Sequence, residues 1–145
     1  WQMVYGSHHE WGEGWLEMLH VLHRAESADG VTWHPVDEIT LDVIGPSDRE
    51  EFALSKPTVL RVGDRWHMWY ARRYEHYRLG YATSADGIVW HRRDALLGNI
   101  TEGGNDFRSE EMTYPSIAAF AGRIFLFYNG NGYGRSGFGV TELVG

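Results

Sequence analysis

The sequence predicts an all-β chain built from repeated four-stranded units, and three observations lead to this fold class. Aromatic residues make up 14% of the 145 residues, and 18 glycines stand against only four prolines. Aromatic residues favour strands, and glycine favours the turns between them. Short, strongly apolar runs also recur along the chain at a nearly constant spacing, with turn sequences between them.

One strand occurs in three versions, at 1–5, 66–70 and 124–128. Each version places large apolar residues at alternate or nearly all positions and ends in tyrosine. Such a pattern is typical of a strand that is buried on at least one face. The three copies are the first indication of an internal repeat.

Two further pairs of segments confirm the repeat. Residues 25–33 match 82–90 at an offset of 57, and residues 57–59 match 115–117 at an offset of 58. A period of this size with four strands per unit is typical of a β-propeller blade, although common blades are about 40–50 residues long.

The predicted strands make one complete blade and parts of two others. The complete blade has strands at 57–62, 65–71, 76–83 and 88–92. The preceding copy lacks strand one and the following copy lacks strand four, so the chain holds about two and a half blades. Their predicted strands are 1–5, 17–26 and 31–35, followed by 115–120, 123–128 and 137–143.

We therefore predict one partial β-propeller domain over 1–145, with blade repeats at about 1–35, 57–92 and 115–143. An arc of blades leaves two exposed edges, which soluble proteins avoid. We expect missing sequence or a second copy of the chain to complete it, because two copies of two and a half blades would total five. Since the first residue is Trp1, we expect a fragment or a processed or trimmed chain.

The turns divide the predicted arc into two ends. Tight turns at 63–64 and 121–122 and Asp-Gly turns at 29–30 and 86–87 share one end, the tight-turn end. Asp-Gly favours a type I′ hairpin, which needs positive φ at both central residues. The long connections gather at the other end, the long-loop end, where function is expected. They are 6–16, 36–56, 72–75, 93–114 and 129–136.

Composition excludes several classes of function. A formal net charge of −7 argues against a nucleic-acid partner, and no apolar run approaches the length of a membrane span. The absence of cysteine excludes disulfides and cysteine-ligated zinc. No signal peptide is visible, and the cellular location stays open.

The long loops carry aromatic, amide and charged side chains, a mixture that suits a carbohydrate. Rings can stack on the C–H faces of a sugar while polar groups bind its hydroxyls. The alternative for each residue is an ordinary solvated loop position. The candidate ligand-binding residues are His8, His9, Trp11, Arg72, Arg73, Tyr114, Asn129, Asn131 and Tyr133.

Four runs carry a resemblance to a known family: 68–70, 84–90, 109–115 and 127–134. They resemble the five-bladed β-propeller glycosidase-like proteins, which are related to glycoside hydrolase families 43, 32 and 68 and to the mannoside phosphorylases of family 130. The similarity covers most of the chain and is greatest to the C-terminal half of a member. The Tyr-Asn-Gly-Asn-Gly-Tyr-Gly run within 127–134 is its most specific part.

The resemblance implies glycoside chemistry by a pair of carboxylates, one of which protonates the leaving oxygen. In the family these acids line a central funnel, on or just before the innermost strands. Before Pro115 this position offers Glu111 as the candidate general acid, with Glu110 and Asp106 behind it.

Before Pro57 the residues at 53–56 include no carboxylate, so the second acid is expected from blades outside this chain. Carbohydrate recognition at the funnel is therefore the leading function, with catalysis only if those blades supply the acid. The alternatives are a non-catalytic carbohydrate-binding module and a half-propeller that assembles into a closed ring.

Other motifs are given scaffold roles. The turns at 29–30 and 86–87 resemble the aspartate box of sialidases but lack its residue between Asp and Gly, so Asp29 and Asp86 are predicted hairpin residues. Trp33 and Trp90 are predicted to pack between blades. Eight histidines show no convincing ligand spacing, so no metal or cofactor is expected; His8 and His9 are the best candidates if a funnel ion exists. The loop at 129–136 lacks the strand-turn-helix context of a phosphate loop, and its asparagine amides are predicted to face hydroxyls.

Overall fold

A computed structural model describes residues 1–11, 19–44, 51–97 and 106–143. Within these ranges the chain forms ten strands, a 3₁₀ helix at Asp94–Leu97 and a helical turn at Asn131–Gly134. No helix in the described ranges is long and apolar enough to cross a membrane. The strands are β1 (Gln2–Glu10), β2 (Leu19–Glu26), β3 (His34–Leu41), β4 (Ala53–Val62), β5 (Arg65–Arg73), β6 (Tyr77–Ser84), β7 (His91–Arg92), β8 (Thr113–Phe120), β9 (Arg123–Asn129) and β10 (Phe138–Leu143).

The strands form three antiparallel units. β1, β2 and β3 make the first blade, β4 to β7 the second and β8 to β10 the third, each in chain order. A single parallel bridge between His20 and Ala53 joins the first two blades into one sheet. The arrangement confirms the predicted all-β propeller architecture, with strand one absent before β1 and strand four absent after β10 in the described chain.

The described strands divide unequally among the blades. The first and third blades have three strands each, and the second has four. Two copies of the described chain would hold twenty strands, the number in five four-stranded blades, divided among six units. The pairing of two copies into a five-bladed ring stays a prediction.

Two hydrophobic cores hold the blades together. The first lies between the first and second blades and includes Leu22, Leu54, Tyr70 and Trp90. The second lies between the second and third blades, around Trp69 and other buried side chains. Trp90 is 8% exposed within the first core, which agrees with its predicted packing between blades.

The Asp-Gly turns differ from the predicted hairpins. Only the glycines have positive φ, 76° at Gly30 and 78° at Gly87, so neither turn is of type I′. Strand four of each blade consequently begins later than predicted, at His34 and His91. The Ala121 turn does have positive φ at both central positions.

A serine and an aspartate hold each of these loops. Ser84 Oγ donates to Asp86 Oδ1 (2.9 Å), and the same carboxylate oxygen accepts the N–H groups of Ile88 (2.8 Å) and Val89 (2.9 Å). Ser27 and Asp29 repeat the arrangement in the first blade. The backbone hydrogen bonds from Ile88 and Val89 lower the pKa of Asp86 to about 2.

A buried ion cluster ties the blades together near the long-loop end. Glu51 is fully buried and accepts two hydrogen bonds from Arg92, at 2.6 and 2.9 Å, and one from the N–H of Ile44 (2.7 Å). Asp94 accepts from Arg92 (2.6 Å) and from the Tyr70 hydroxyl (2.6 Å). Burial raises the pKa of Tyr70 far above its ordinary value, so the hydroxyl keeps its proton and remains a donor.

Glu51→Gln should destabilise the fold by about 3–5 kcal/mol, because it leaves buried guanidinium groups with one carboxylate fewer. Chemical denaturation monitored by tryptophan fluorescence measures this free energy of unfolding. Glu38→Gln removes an exposed carboxylate on β3 and is the control, expected to leave the denaturation midpoint unchanged. A loss below about 1 kcal/mol would show that the cluster contributes little to stability.

Asp86→Asn should make stability less dependent on acid pH. Because the pKa of Asp86 is about 2 in the fold against an ordinary 3.8, its stabilisation is complete above pH 3.8 and disappears as pH falls through 2. The melting temperatures of wild type and variant should therefore converge between pH 5 and pH 2. Asp64→Asn, in the neighbouring tight turn, controls for the loss of one negative charge; a constant gap across this range would contradict the assignment.

Candidate functional site

The innermost strands of the second and third blades share an unusual backbone feature at the long-loop end. The pairing of β4 with β5 shifts register across Lys56 and Pro57, and that of β8 with β9 across Tyr114 and Pro115. At these bulges Lys56 has a φ of 50° and Tyr114 a φ of 52°. A left-handed conformation in a residue with a side chain costs on the order of 1–3 kcal/mol and persists only where its surroundings impose it. The left-handed conformation occurs at equivalent positions of two successive blades, so it is a property of the repeated blade.

Three tyrosines meet beside these bulges. The ring of Tyr114 lies 6.1 Å from that of Tyr77 and 5.8 Å from that of Tyr133, and Tyr77 and Tyr133 are 5.8 Å apart. Lys56 Nζ lies 5.6 Å from the centre of the Tyr114 ring. Tyr133 is also left-handed, with a φ of 59°, so three of the four non-glycine residues with positive φ in the described chain meet here. We call Tyr77, Tyr114 and Tyr133 the tyrosine cluster.

Two asparagines hold the loop that carries Tyr133. Asn131 Oδ1 accepts the N–H groups of Glu110 and Glu111, each at 2.9 Å, and its Nδ2 donates to Ser109 Oγ (3.0 Å). Asn129 Nδ2 donates to the Tyr133 carbonyl (3.3 Å). These amides, predicted to face sugar hydroxyls, are engaged in shaping the loop.

The three candidate acids differ in position. Glu111 is half-buried, and its Oε2 accepts the N–H groups of Gly132 (2.9 Å) and Tyr133 (3.4 Å). Burial raises the pKa of Tyr114, and the charge of Glu111 adds to this shift, which places Glu111 beside the tyrosine cluster. Glu110 is exposed, and its carbonyl accepts a hydrogen bond from Arg78.

The Asp106 carboxylate pairs with Arg108 and not with the tyrosine cluster. Its carboxylate is exposed and lies 3.1 Å from Arg108 Nε, and Arg108 in turn donates to the Tyr128 hydroxyl (3.0 Å). Arg72, a predicted ligand-binding residue, lies within the buried ion cluster, 3.4 Å from Asp94 and 3.8 Å from Glu51. The structure therefore brings Glu111, but neither Asp106 nor Arg72, to the tyrosine cluster.

A small pocket lies between the first two blades, next to the tyrosine cluster. Its volume is about 170 Å³, and Tyr77 contributes to both sites. We call it the His-Arg pocket. It is lined by His8, His20, Phe52, Ala53, Ser55, Arg73 and Tyr77.

Aromatic contacts fix the polar side chains of the His-Arg pocket. The Arg73 guanidinium lies 5.0 Å from the Tyr77 ring and 5.4 Å from the Phe52 ring. His8 packs edge-on against His20 at 4.9 Å. His20 Nδ1 lies 2.6 Å from the Leu54 carbonyl, so this nitrogen carries the proton in the neutral ring and donates it.

Trp11 and His9, both predicted to bind a ligand, make different contacts. Trp11 stacks on His8 at 3.8 Å and is 74% exposed. His8 and His9 lie in β1, so the predicted start of a long loop at residue 6 is wrong. His9 lies on the opposite face of β1, 6.0 Å from His23. Among the described residues no group of three or more His, Asp or Glu side chains is placed to hold a metal ion.

Sequence reasoning missed two hydroxyls that the repeat places alike. Ser55 and Thr113 each stand one residue before a left-handed residue and two before a proline. Their hydroxyl oxygens are buried and have no hydrogen-bond partner among the described residues. The match of 57–59 with 115–117 could have located both, because extending it backward by two residues aligns Ser55 with Thr113.

Comparison with known proteins defines the class of fold. The silkworm (Bombyx mori) family 32 β-fructofuranosidase, solved with sucrose, matches 99% of this chain with a TM-score of 0.66 and 14% identity. A family 117 glycoside hydrolase of Zobellia galactanivorans matches 86% with a TM-score of 0.62 and 16% identity, and a thermostable family 43 glycoside hydrolase matches 88% with 0.61 and 14%. This chain covers 31%, 37% and 45% of those three proteins. It therefore has part of the β-propeller fold of glycoside hydrolases.

By sequence the chain is similar to longer proteins that are described as uncharacterized. Two uncharacterized proteins of Mycobacterium tuberculosis, from strains CDC 1551 and H37Rv, are each 38% identical over 142 residues. The match covers 98% of this chain and 46% of each relative, so the chain spans about half the length of these relatives. No family model matches the chain.

Proposed function

We propose that the long-loop end of this chain binds a carbohydrate, with the tyrosine cluster as its platform and the His-Arg pocket beside it. The meeting of three left-handed side-chain-bearing residues, Lys56, Tyr114 and Tyr133, carries the proposal. Backbone strain concentrates where a fold must present groups in a fixed geometry for a ligand. The strained residues here present two aromatic rings and an ammonium group.

The exposure of the cluster supports this role. Tyr133 is 49% exposed, and Tyr114 is half-buried at the start of β8. Tyrosine combines a flat apolar face with a hydroxyl, so it can stack on a sugar ring and hydrogen-bond at its edge. The structural neighbour solved with sucrose is consistent with a carbohydrate ligand at such a fold.

A second candidate function is glycoside cleavage, with Glu111 as the general acid. The observation that favours it is the place of Glu111 beside the tyrosine cluster, where the described residues give its Oε1 no hydrogen bond and leave it to a ligand. Glycoside hydrolysis needs a second carboxylate. Glu51 is enclosed in the ion cluster and cannot serve as that partner. We expect the second carboxylate from another part of the whole protein.

Tyr133→Ala should weaken oligosaccharide binding about tenfold, equivalent to about 1.4 kcal/mol, by removing the exposed ring of the platform. A glycan array selects the oligosaccharide, and calorimetry then compares wild type with the variant.

Phe120→Ala is the matched control for this test. It removes an aromatic side chain that is 75% exposed at the tight-turn end and should leave affinity unchanged. Equal affinities for wild type and Tyr133→Ala would remove the tyrosine cluster from the binding site.

Glu111→Gln should lower the turnover of a cleaved glycoside by about 10²–10⁴, while binding is retained. Glutamine keeps an oxygen that can accept the loop N–H groups but cannot deliver a proton. Turnover of a panel of aryl glycosides and calorimetric affinity are measured on the same preparations. Glu110→Gln is the control because its side chain is exposed; unchanged turnover in Glu111→Gln would exclude Glu111 as the acid.

A further inference from the structure

His20, in the wall of the His-Arg pocket, has one ring nitrogen bound within the fold and one without a partner in the described part of the chain. Its Nδ1 donates to the Leu54 carbonyl on β4 (2.6 Å), which fixes the neutral ring with its proton on Nδ1. Nε2 is then an acceptor, and no described residue donates a hydrogen bond to it. Such an arrangement is typical of a histidine that is held in place for a ligand.

The backbone of β1 makes room for the His20 ring. A Cβ atom added at Gly6 would lie 2.6 Å from His20 Cε1, closer than such atoms approach in proteins, so only glycine accommodates the ring here. The Leu54 carbonyl and Gly6 therefore enclose Nδ1 and Cε1. The opposite edge of the ring, which carries Nε2, is left to line the pocket.

From this geometry we propose that His20 Nε2 accepts a hydrogen bond from a hydroxyl of a sugar unit in the His-Arg pocket, and that binding there requires unprotonated His20. The proposal rests on the carbohydrate binding proposed above and adds to it a subsite and a dependence on pH. A hydroxyl donates one hydrogen bond and accepts others, so a sugar can supply the proton that Nε2 lacks.

The pocket has the size and the position of a subsite for one sugar unit. Its volume of about 170 Å³ is below the roughly 300–1,000 Å³ of pockets that enclose drug-sized ligands. Tyr77 forms part of its wall, and the Tyr77 ring also lies 6.1 Å from that of Tyr114 and 5.8 Å from that of Tyr133. An oligosaccharide stacked on the tyrosine cluster therefore has its neighbouring unit beside the pocket.

Protonation of His20 would convert the proposed acceptor into a donor. Burial lowers the pKa of His20, the hydrogen bond to the Leu54 carbonyl opposes this shift, and the nearby His8 and His23 lower the pKa further. His20 is therefore neutral at pH 7 and takes up its proton only below the ordinary value of 6.5. Binding through Nε2 should weaken as pH falls through this lowered pKa.

Other ionisable groups surround His20, so an effect of pH has to be assigned with variants. β4 lines the pocket with Ala53 and Ser55, neither of which is ionisable. The described ionisable side chains that line the pocket or act on His20 come from the other strands: His8 on β1, His23 on β2, Arg73 on β5 and Tyr77 on β6.

Calorimetry between about pH 5 and pH 8 tests the proposal. The probes are trimers of glucose, mannose, xylose and galactose, together with the oligosaccharide selected on the glycan array. Wild-type affinity should be constant above pH 7 and should fall at lower pH, by at most about tenfold per pH unit, because one proton is taken up.

His20→Asn separates the two nitrogens of the ring. The asparagine Nδ2 can still donate to the Leu54 carbonyl, whereas the acceptor Nε2 is lost. Affinity at pH 7 should fall about three- to tenfold, as expected for the loss of one hydrogen bond, and the dependence on acid pH should disappear. His91→Asn is the matched control: it removes an exposed histidine at the tight-turn end and should change neither quantity.

Long-range ¹⁵N–¹H NMR spectra of the wild type give an independent measurement that does not require the variant to fold. We expect the proton of neutral His20 on Nδ1, and a further decrease in the pKa of His20 when the bound trimer is added, since the sugar favours the neutral ring. A proton on Nε2, or a pKa that the sugar leaves unchanged, would overturn the proposal.

The remaining outcomes separate this proposal from carbohydrate binding itself. Equal affinities of wild type and His20→Asn, with weaker binding by Tyr133→Ala, would overturn the role of His20 and leave carbohydrate recognition standing. A decline at acid pH that persists in His20→Asn would belong to another group, such as His8, and would also overturn it. Failure of every sugar, on the array as well as in these titrations, would overturn both proposals.

Discussion

The site depends on one backbone constraint, the bulge that precedes Pro57 and Pro115 on the two innermost strands. Proline lacks an N–H group and restricts the residue before it, so the ladder to the neighbouring strand is interrupted at this point. The residue before a proline is normally extended, yet Lys56 and Tyr114 adopt the left-handed conformation at this point. That conformation brings Lys56 and Tyr114 together across two blades, with Nζ 5.6 Å from the ring. A scaffold feature thus positions the proposed platform.

The bulges can be held in a strained state because the blades around them are locked. Ile117 N–H donates to Thr58 Oγ1 (3.3 Å) between adjacent innermost strands, and the Met112 N–H donates to the Tyr77 carbonyl (3.1 Å). The buried Glu51 cluster adds charge-assisted bonds between the first and second blades. Strain of about 1–3 kcal/mol per residue is sustained only by such surrounding structure. Stability at the long-loop end and geometry of the site are therefore coupled.

The repeat made most of the fold predictable, because self-similarity locates strands without any long-range information. The ten strands, and the division into a tight-turn end and a long-loop end, were predicted from this repeat. The Asp-Gly turns were misjudged since a two-residue hairpin competes with side-chain hydrogen bonding by Ser84 and Asp86, which lengthens the loop. The Glu51 cluster could not be predicted, because its partner Arg92 lies 41 residues away in a different repeat position. Only part of the His-Arg pocket was predicted from the sequence, because the sequence does not distinguish His20 from an ordinary strand residue.

Part of the acidic charge near the long-loop end is enclosed within the protein. Glu51 and Asp94 are neutralised by Arg72 and Arg92 inside the protein, so they do not contribute an acidic surface at the long-loop end. Glu111 turns one oxygen toward the backbone of its own loop. At the tyrosine cluster the described residues present aromatic rings, with the carboxylate of Glu111 beside them. Glu110 and Asp106 remain exposed at the same end, so only part of its acidic charge is enclosed.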